Sequence, residues 1–423
     1  MNKKNSHAIV VTLKDDISEI IELANSLDYS VIESFFQRRK KPDVNTYIGK
    51  GKVDEIKNFI EESDKEIDLV IFDGELKPSQ WFILEKIFNV DVYDRIRLIL
   101  AIFEQRAERK EARLQVKLAQ LQYERPFVRE LIHRARSGEH PGFMAGGEYQ
   151  VDDYYEMIKK QVKKIKEELD SIRDNRELSR QHRHGSGYYL ISLAGYTNAG
   201  KSSLLSLLSG EKVKIEGKLF STLSTTTRKI ENKNIPILLT DTVGFIQDLP
   251  AIIIDAFHST LEEIELADLV LLVADISEDQ EIVAMKLKTS IDELVEIGST
   301  SPIILVFNKI DLISENELSK KIDYLEEKEL LKNRIIVFLS VKNKNNIEKL
   351  NEVIYNNLPK LVKFRIKLPI NEKTLSFVSW IYNKANVYDV SYGDYVSLSI
   401  ESNIKIRDKI ISKCHLYNGY INY

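Results

Sequence analysis

Short apolar runs alternate with amphipathic runs along the first part of the chain. HAIVVTL, YSVIESFF and IDLVIF have the length and composition of strands, whereas ISEIIELANSL and VDEIKNFIEES carry apolar residues at helical spacing. Strands and helices that alternate in this way are typical of parallel pairing. The pattern therefore predicts a small α/β domain over residues 1–94. Its loop GKGK, residues 49–52, is either an exposed turn or a contact for a phosphate.

A long helical pattern follows, with apolar residues at the three-and-four spacing of one helix face. From Leu98 onward these residues are Leu100, Phe103, Ala107, Leu114, Leu118 and Leu121. Pro126 is expected to interrupt this helix. A second helix is predicted from Ile158, Val162, Ile165, Leu169 and Ile172. Residues 95–186 are therefore expected to form an antiparallel helical hairpin. The segment RSGEHPGFMAGGEYQ between the two helices is either a mobile Gly-rich tip or a mere linker. HRHGSG is expected to be a linker at the end of the hairpin.

Apolar strands recur in the second half of the chain, among them YYLISLAGY, PIILVF and IIVFL. Further along, KFRIKLPI and YVSLSIES alternate between apolar and polar positions, which is typical of half-buried strands. We therefore expect an α/β domain with a mostly parallel sheet and helices on both faces over residues 187–360. A small C-terminal α+β domain is expected over residues 361–423.

The string GYTNAGKS, residues Gly195–Ser202, fits the phosphate-loop pattern G-x-x-x-x-G-K-[ST]. It follows a predicted buried strand and opens an amphipathic helix. In this pattern glycines let backbone N–H groups close around the phosphates, Lys201 reaches the β- and γ-phosphates, and the Ser202 hydroxyl ligates Mg²⁺. The helix dipole adds to the attraction for phosphate. The segment predicts a P-loop domain that binds a nucleotide with Mg²⁺ as cofactor.

A second motif, Asp241-Thr242-Val243-Gly244, ends the apolar strand ILLT. Asp241 is expected to hold Mg²⁺ through water, and the Gly244 N–H to meet the γ-phosphate, because only glycine lets the backbone come so close. Phe245 stands where Ras-like GTPases place the glutamine that orients water. No catalytic side chain is therefore assigned, and we expect slow hydrolysis that a partner accelerates.

The string NKID, Asn308–Asp311, distinguishes guanine from adenine. The Asp311 carboxylate is expected to accept hydrogen bonds from the ring N–H and the exocyclic amine of guanine, and adenine has an acceptor in place of that ring donor. Losing charge-assisted bonds of ~1.5–3 kcal/mol each disfavours ATP by roughly a hundredfold or more. Asp311 thus argues against an ATP-driven RNA-remodelling enzyme. Ser340-Val341-Lys342 is expected to offer a backbone N–H to the guanine oxygen, so GTP and GDP are the predicted ligands.

The string LFSTLSTTTR, residues 219–228, lies between the first two motifs. We interpret it as the switch that folds over the γ-phosphate, although a hydroxyl-rich surface loop has the same composition. One threonine should complete the Mg²⁺ shell, with Thr222 favoured over Thr226. The predicted nucleotide contacts are Gly195, Tyr196, Thr197, Asn198, Ala199, Gly200, Lys201, Ser202, Ser203, Phe220, Ser221, Thr222, Leu223, Ser224, Asp241, Thr242, Val243, Gly244, Asn308, Lys309, Ile310, Asp311, Ser340, Val341 and Lys342.

The composition of the chain indicates the cellular compartment and one possible class of partner. The chain has 423 residues and a formal net charge of -4, yet residues 95–140 hold eleven basic and six acidic residues, a net of +5. That segment is either a contact for a polyanion or a solvated helix face. The only cysteine, Cys414, suits a reducing compartment, and no apolar run approaches the ~18 residues of a membrane span. We expect a cytoplasmic monomer without stable membrane insertion.

The motifs together resemble those of the HflX family of ribosome-associated GTPases along nearly the whole chain. The strings that carry the resemblance are TYIGKGKVDEI, FDGELKPSQ, RLQVKLAQLQY, GYTNAGKSSLL, LFSTLSTTTR, DTVGFIQDLP, AFHSTLEEI and NKID. Three departures from the family pattern stand out. HPGFMAGGEYQVDD replaces a stretch like RGPGETQLE, DRIRLIL replaces DRTxLIL, and Ser203 replaces a common threonine.

The resemblance implies a P-loop GTPase domain whose N-terminal domain and hairpin dock on the 50S ribosomal subunit, on ribosomal RNA near the peptidyl-transferase centre. It also implies GTP-dependent splitting or recycling of stalled ribosomes under stress. The altered hairpin tip changes the chemistry expected at that contact. The alternative is a GTP-dependent regulatory interaction module that does not act on ribosomes.

Overall fold

The computed structural model of the chain describes most of its 423 residues. The described residues are 6–39, 41–136, 147–184, 188–210, 220, 226–232, 235–247, 253, 261–382, 384–402 and 404–422. They divide into two compact units: described residues up to Ser171, with Phe220 and Ile253, form the first unit, and all the others form the second. Most of the predicted hairpin tip and residues 221–225 of the predicted switch lie outside the described residues.

The first unit begins with a sheet of four parallel strands in the order β2-β1-β3-β4. Its elements are β1 (Ser6–Thr12), α1 (Ser18–Ser26), β2 (Tyr29–Phe36), α2 (Lys50–Glu62), β3 (Leu69–Phe72), α3 (Pro78–Phe88) and β4 (Asp91–Asp94). All four residues of β3 are buried, as expected for a central parallel strand covered on both faces. The predicted parallel α/β domain is confirmed, and α3 and β4 add to it. Gly49 is the N-cap of α2, so GKGK is the start of a helix.

A buried arginine joins two carboxylates in this sheet domain. Arg95 Nη1 donates to Asp73 Oδ1 at 2.8 Å, and its Nη2 donates to Glu19 Oε2 at 2.5 Å. Arg95 and Asp73 are both buried. Arg95 belongs to the basic segment counted above, but it contributes to the core of the domain and not to a basic surface.

Three further helices are α4 (Arg95–Arg106), α5 (Lys110–Arg136) and α6 (Gly147–His184). The first unit contains α4, α5 and the part of α6 up to Ser171. The predicted antiparallel hairpin is formed by α5 and α6. Their shared apolar cluster contains Leu118, Leu121, Val128, Ile158 and Ile165, with Leu114, Val162 and Leu169 packed against it.

Three details of the hairpin prediction were wrong. The pattern that starts at Leu98 is two helices, because α4 ends at Arg106 and α5 begins only at Lys110. The carbonyl of the C-cap residue Ala107 accepts a hydrogen bond from Arg113 Nε at 3.0 Å. Pro126 lies inside α5 without ending it, because α5 packs against α6 on both sides of the proline, through Leu121 and Val128. His182–His184 belong to α6 and not to a linker, because no glycine or proline occurs between residues 148 and 184 to end the helix.

The second unit contains a six-stranded sheet in the order β10-β9-β8-β5-β7-β6, in which only β6 is antiparallel to its neighbour. Its strands are β5 (Tyr189–Ala194), β6 (Thr226–Asn232), β7 (Ile235–Asp241), β8 (Leu269–Asp275), β9 (Ile303–Asn308) and β10 (Ile335–Phe338). The helices are α7 (Lys201–Ser209), α8 (Gln280–Glu296), α9 (Glu315–Glu327) and α10 (Ile347–Asn357), with a 3-10 turn at Ile310–Leu312. All six residues of β5 are buried, so both faces of the sheet are covered there.

The end of the chain forms an antiparallel four-stranded sheet in the order β12-β13-β11-β14. Its elements are β11 (Val362–Pro369), α11 (Glu372–Tyr382), β12 (Asn386–Tyr392), β13 (Tyr395–Ser402), α12 (Ile404–Leu416) and β14 (Tyr420–Asn422). Apolar residues of the strands and of both helices form one core that also contains Cys414. The predicted strand-rich unit is confirmed, whereas the domain boundaries at residues 94, 186 and 360 stay a prediction. In the part of the chain that the structure describes, no helix has the length and apolar character needed to cross a membrane.

Candidate nucleotide-binding site

The loop between β5 and α7 has a backbone that requires glycine at both ends. Gly195 has φ 132° and Gly200 has φ 98°, conformations that L side chains rarely adopt. A Cβ at Gly195 would collide with the carbonyl oxygen of Val273, and one at Gly200 with Nδ2 of Asn308. The loop therefore turns tightly at the carboxyl end of a parallel strand, where α/β folds bind their ligands.

Lys201 begins α7 and folds back over this loop. Its Nζ donates to the carbonyl oxygens of Gly195 at 2.9 Å and Tyr196 at 2.7 Å. Burial lowers the pKa of Lys201 to about 8, while the negative charge of Asp241 opposes this change. An ammonium group held in a buried loop is suited to a phosphate, whose charge would offset the cost of desolvation.

Ser202 and Asp241, the two residues predicted to hold Mg²⁺, are in direct contact. Ser202 Oγ donates to Oδ2 of Asp241 at 2.7 Å. Asp241 is brought there because it is paired with Leu193, the second-last residue of β5, in the parallel β5–β7 ladder. One hydroxyl and one carboxylate are hard oxygen donors of the kind that Mg²⁺ prefers when phosphates supply further oxygens. Thr226, the second-choice threonine, is paired with Asp241 in the β6–β7 ladder, whereas Thr222 lies outside the described residues.

Gly244 and Phe245 contact the phosphate loop through their backbones. A Cβ at Gly244 would lie 2.8 Å from Thr197 Cγ2 and 2.9 Å from Lys201 Nζ. Thr197 N donates to the carbonyl of Phe245 at 2.9 Å, and Phe245 N donates to the carbonyl of Gly195 at 3.1 Å. The ring of Phe245 is buried. The sequence identified Gly244 as the close approach, but it carried no signal for the pairing of Phe245 with the loop.

The third and fourth motifs are joined by side-chain hydrogen bonds. Asn308 Nδ2 donates to the carbonyl of Ala199 at 3.0 Å, and Val341 N donates to Oδ1 of Asn308 at 3.1 Å. Ser340 Oγ donates to Oδ1 of Asp311 at 2.5 Å, which orients the carboxylate. The segments 195–202, 308–311 and 340–342 therefore meet at one end of the sheet.

Lys309 is held by a residue that the sequence analysis missed. Its Nζ lies 2.5 Å from Oδ2 of Asp275 at the end of β8, and its backbone is left-handed, with φ 68°. Only the termination of the apolar strand LVLLVAD in an aspartate hinted at this role. The ion pair fixes the lysine stem beside the expected position of the base.

The remaining predicted contacts differ in how far the structure describes them. Tyr196 is buried, with Lys286 Nζ at 5.0 Å from its ring centroid, and Asn198 is exposed with φ 64°. Phe220 is buried in the first unit, where its ring meets that of Phe103 edge to face at 4.7 Å between centroids, so a nucleotide contact of Phe220 stays a prediction. The predicted residues outside the described part of the chain are Ser221, Thr222, Leu223 and Ser224.

The mostly parallel sheet, the phosphate loop with a glycine at each end, and the guanine motif define a P-loop GTPase. Three family models match successive parts of the chain: "GTP-binding GTPase N-terminal" over residues 14–104, "GTP-binding GTPase Middle Region" over 106–183 and "50S ribosome-binding GTPase" over 190–309.

Named relatives narrow the class to one family. A protein named GTPase HflX from Thermococcus kodakarensis is 41% identical over 404 residues, which cover 92% of this chain and 90% of that relative. Another GTPase HflX, from Methanocaldococcus jannaschii, is 42% identical over 348 residues, or 82% of this chain and 83% of the relative. A solved complex of SsGBP with GDP is 31% identical and covers 83% of this chain and 98% of its own, with a TM-score of 0.50. The chain belongs to the HflX family of GTPases, and it binds and hydrolyses GTP.

Proposed function

We propose that this chain is a Mg²⁺-dependent GTPase that binds the 50S ribosomal subunit and splits or recycles stalled ribosomes. The name of the family model matched at residues 190–309, "50S ribosome-binding GTPase", supports the partner. We further propose that it acts in the cytoplasm as a monomer. Its single cysteine, Cys414, is buried, and burial raises the pKa of this thiol to about 11, so the reactive thiolate is scarce.

One observation carries the ribosome proposal: where the structure describes the side chains of α5, residues 110–131, the exposed ones are almost all basic. Among the α5 side chains that the structure describes, the exposed ones are Lys110, Arg113, Lys117, Arg125, Arg129 and Pro126. The acidic residues Glu111, Glu124 and Glu130 are only half-exposed. A helix that presents basic groups along its exposed face is suited to the phosphates of RNA, because each contact releases condensed counterions. A solvated helix face of ordinary composition would carry both signs of charge.

At the nucleotide site, we propose that Ser202 ligates Mg²⁺, that Asp241 holds it through water, and that Thr222 completes the shell. A Mg²⁺ ion held by these residues would supply positive charge that offsets the negative charge of the nucleotide phosphates. Lys201 would bind the same phosphates, the backbone of Gly244 would bind the γ-phosphate, and Asp311 would select guanine.

The proposal is tested by co-sedimentation of the full chain with 50S subunits in the presence of GDP or a non-hydrolysable GTP analogue. We expect binding that is favoured by the analogue and that weakens steeply as salt increases. Lys117→Glu combined with Arg129→Glu should weaken binding at least tenfold without changing intrinsic GTP hydrolysis. The matched control is Lys320→Glu with Lys328→Glu, two exposed lysines at α9 in the second unit.

A second measurement separates binding from splitting. Stalled 70S ribosomes, followed by light scattering, should dissociate faster with the protein and GTP than with the protein and GDP. Absence of 50S binding in both nucleotide states would contradict the ribosome proposal and favour a regulatory module with another partner. Binding without dissociation would retain the partner and remove the splitting step.

A further inference from the structure

The C-terminal sheet has an apolar core on one side only. Along β11, the side chains of Phe364, Ile366 and Leu368 are buried in that core, whereas the alternating residues Lys363, Arg365 and Lys367 are exposed on the opposite face. Because side chains alternate across a strand, the residues paired with these three lie on the same open face. We call this surface the open sheet face. Its members paired with the three are Ser397, Ser399, Glu401, Tyr420 and Asn422; Tyr395 belongs to it two residues before Ser397 on β13, and Asp389 belongs to it as the partner of Ser399 on β12.

The open sheet face has a basic centre. Lys363 Nζ lies 3.8 Å from Glu401, and Arg365 Nη2 lies 3.7 Å from Asp389, distances at which exposed ion pairs stabilise little. Arg365 Nε also donates to Ser399 Oγ at 2.9 Å, which directs the guanidinium across the sheet. Within the described residues, no carboxylate pairs with Lys367. Residues 361–423 hold nine basic and five acidic residues, a net of +4 in a chain of net charge -4.

Exposed tyrosines flank this basic strand. Tyr395 on β13 and Tyr420 on β14 lie on either side of β11, and their ring centroids are 6.3 Å apart at an interplanar angle of 69°. Tyr420 is paired with Lys367, which places a ring beside a cation. Tyr388, at the bulge of β12, lies with its ring centroid 5.7 Å from Lys363 Nζ. The three side chains are 45%, 63% and 55% exposed, so large aromatic surfaces face solvent on this sheet.

We propose that the open sheet face binds single-stranded RNA, with unpaired bases stacked on Tyr395, Tyr420 and Tyr388 and phosphates bound by Lys363, Arg365 and Lys367. Base-aromatic stacking beside a track of cations is how proteins hold unpaired strands, and sheets of four strands with exposed aromatic rings are one scaffold for it.

Two features favour this occupant over others. The core of a protein–protein interface is depleted in lysine and in other charged residues, whereas this face has them at its centre. In a duplex the bases are stacked on one another and are not available to the tyrosine rings.

None of the three matched family ranges extends beyond residue 309, so the open sheet face lies outside all of them.

RNA binding by the open sheet face is independent of the proposed ribosome contact, which is made by the helical hairpin of the first unit. A chain that fails to sediment with 50S subunits but binds unpaired oligonucleotides through the C-terminal sheet would refute the former and retain the latter. A chain that sediments with 50S subunits but does not bind unpaired oligonucleotides would retain the ribosome proposal and refute RNA binding by the open sheet face.

The test is fluorescence anisotropy of labelled oligouridylate and oligoadenylate, about ten nucleotides long, with the full chain bound to GDP. Tyr395→Ala and Tyr420→Ala should each weaken binding about tenfold, whereas Tyr395→Phe, which keeps the ring, should bind within about twofold of the parent. Lys367→Ala should reduce the slope of log Kd against log salt by about 0.7, the value of one phosphate contact on a single strand.

The matched control is Tyr392→Ala. Tyr392 is as exposed as Tyr420, but it is paired with Val396, whose side chain is in the core, and so lies on the other side of the sheet. This variant should bind like the parent. Equal affinity of the parent and the Tyr395→Ala, Tyr420→Ala double variant would overturn the proposal. The proposal would also be overturned if the double variant lost as much affinity for a duplex RNA of matched sequence as for the single strand, because stacking requires unpaired bases.

Discussion

Ser202 Oγ and Asp241 Oδ2 lie 2.7 Å apart, and their hydrogen bond joins the first turn of α7 to the end of β7. In the proposed site Ser202 Oγ would ligate Mg²⁺ and Asp241 would hold the ion through water, so both residues would give up their mutual hydrogen bond when the metal binds. The binding of GTP and of Mg²⁺ should therefore be coupled.

Ser202→Ala is expected to remove most of this coupling. The affinity for GTP with Mg²⁺ should fall at least tenfold, because a bond to a charged group is worth ~1.5–3 kcal/mol, while the affinity in EDTA should change little. Titrations of a fluorescent GTP analogue with and without Mg²⁺ measure both quantities. Ser209→Ala, at the other end of α7, is the control, and an unchanged response of Ser202→Ala to Mg²⁺ would refute the assignment.

Asp311→Asn is expected to change the base that the site prefers. Its amide would meet the two guanine donors with one acceptor and one donor, so GTP affinity should fall roughly a hundredfold while xanthosine triphosphate gains. Ser340→Ala should have a smaller effect in the same direction, since Ser340 only orients the carboxylate. Competition between the two triphosphates is the measurement, with Asp323→Asn on α9 as control. A preserved preference for GTP would remove Asp311 from base recognition.

Gly244→Ala is expected to slow hydrolysis more than it weakens GDP binding. The added methyl group would lie 2.8 Å from Thr197 Cγ2 and 2.9 Å from Lys201 Nζ, so the chain must shift where the γ-phosphate is expected. Overpacking of ~1–3 kcal/mol corresponds to a fall of roughly tenfold to a hundredfold in the single-turnover rate. Gly393→Ala, where an added Cβ meets nothing within 4 Å, should hydrolyse GTP normally. Similar rates for both variants would count against a close approach at Gly244.

Lys201 should make the stability of the nucleotide-free protein depend on pH. Its pKa in the folded chain is about 8, against 10.5 as the ordinary value, so between these pH values the unfolded chain binds more protons. The free energy of unfolding should therefore rise across this window, by a total of the order of 3 kcal/mol from this one group. Urea unfolding at pH 7.5 and 9.5 should show a steeper rise for the parent than for Lys201→Met. Equal rises would mean that burial does not disfavour the charged form.

Arg95→Ala should destabilise the N-terminal sheet domain by ~3–5 kcal/mol, because it leaves the buried Asp73 carboxylate without its cation. Arg39→Ala removes a more exposed ion pair with Asp43 and should cost less than ~1 kcal/mol. Urea unfolding followed by far-UV circular dichroism compares the two variants. A small loss for Arg95→Ala would show that water or a rearranged neighbour replaces the guanidinium.

Local motifs were predictable because their chemistry is contained in a few consecutive residues. The string from Gly195 to Ser202 specifies its own turn, and both of its glycines have positive φ in the structure. The strands and helices of the N-terminal domain were predictable for a similar reason, since periodicity reports which faces are buried.

Features that depend on partners distant in sequence were not predictable. Asp275 holds Lys309 across 34 residues of sequence, and Phe245 pairs with Gly195 across 50, so neither belongs to a local pattern. Arg95 was counted as a surface charge because sequence spacing does not show that Glu19 and Asp73 enclose it. Pro126 was misjudged because the local rule ignores the packing of α5 against α6.

The amide of Asn308 bonds on one side to the phosphate loop, at Ala199, and on the other to Val341. Selectivity for the base and affinity for the phosphates therefore both depend on Asn308, and a change at this residue would alter both. A substitution there that relaxed discrimination among purines would also loosen the loop that holds the phosphates. Descendants with an altered nucleotide preference should therefore carry changes at Asp311 or Ser340 and keep this asparagine.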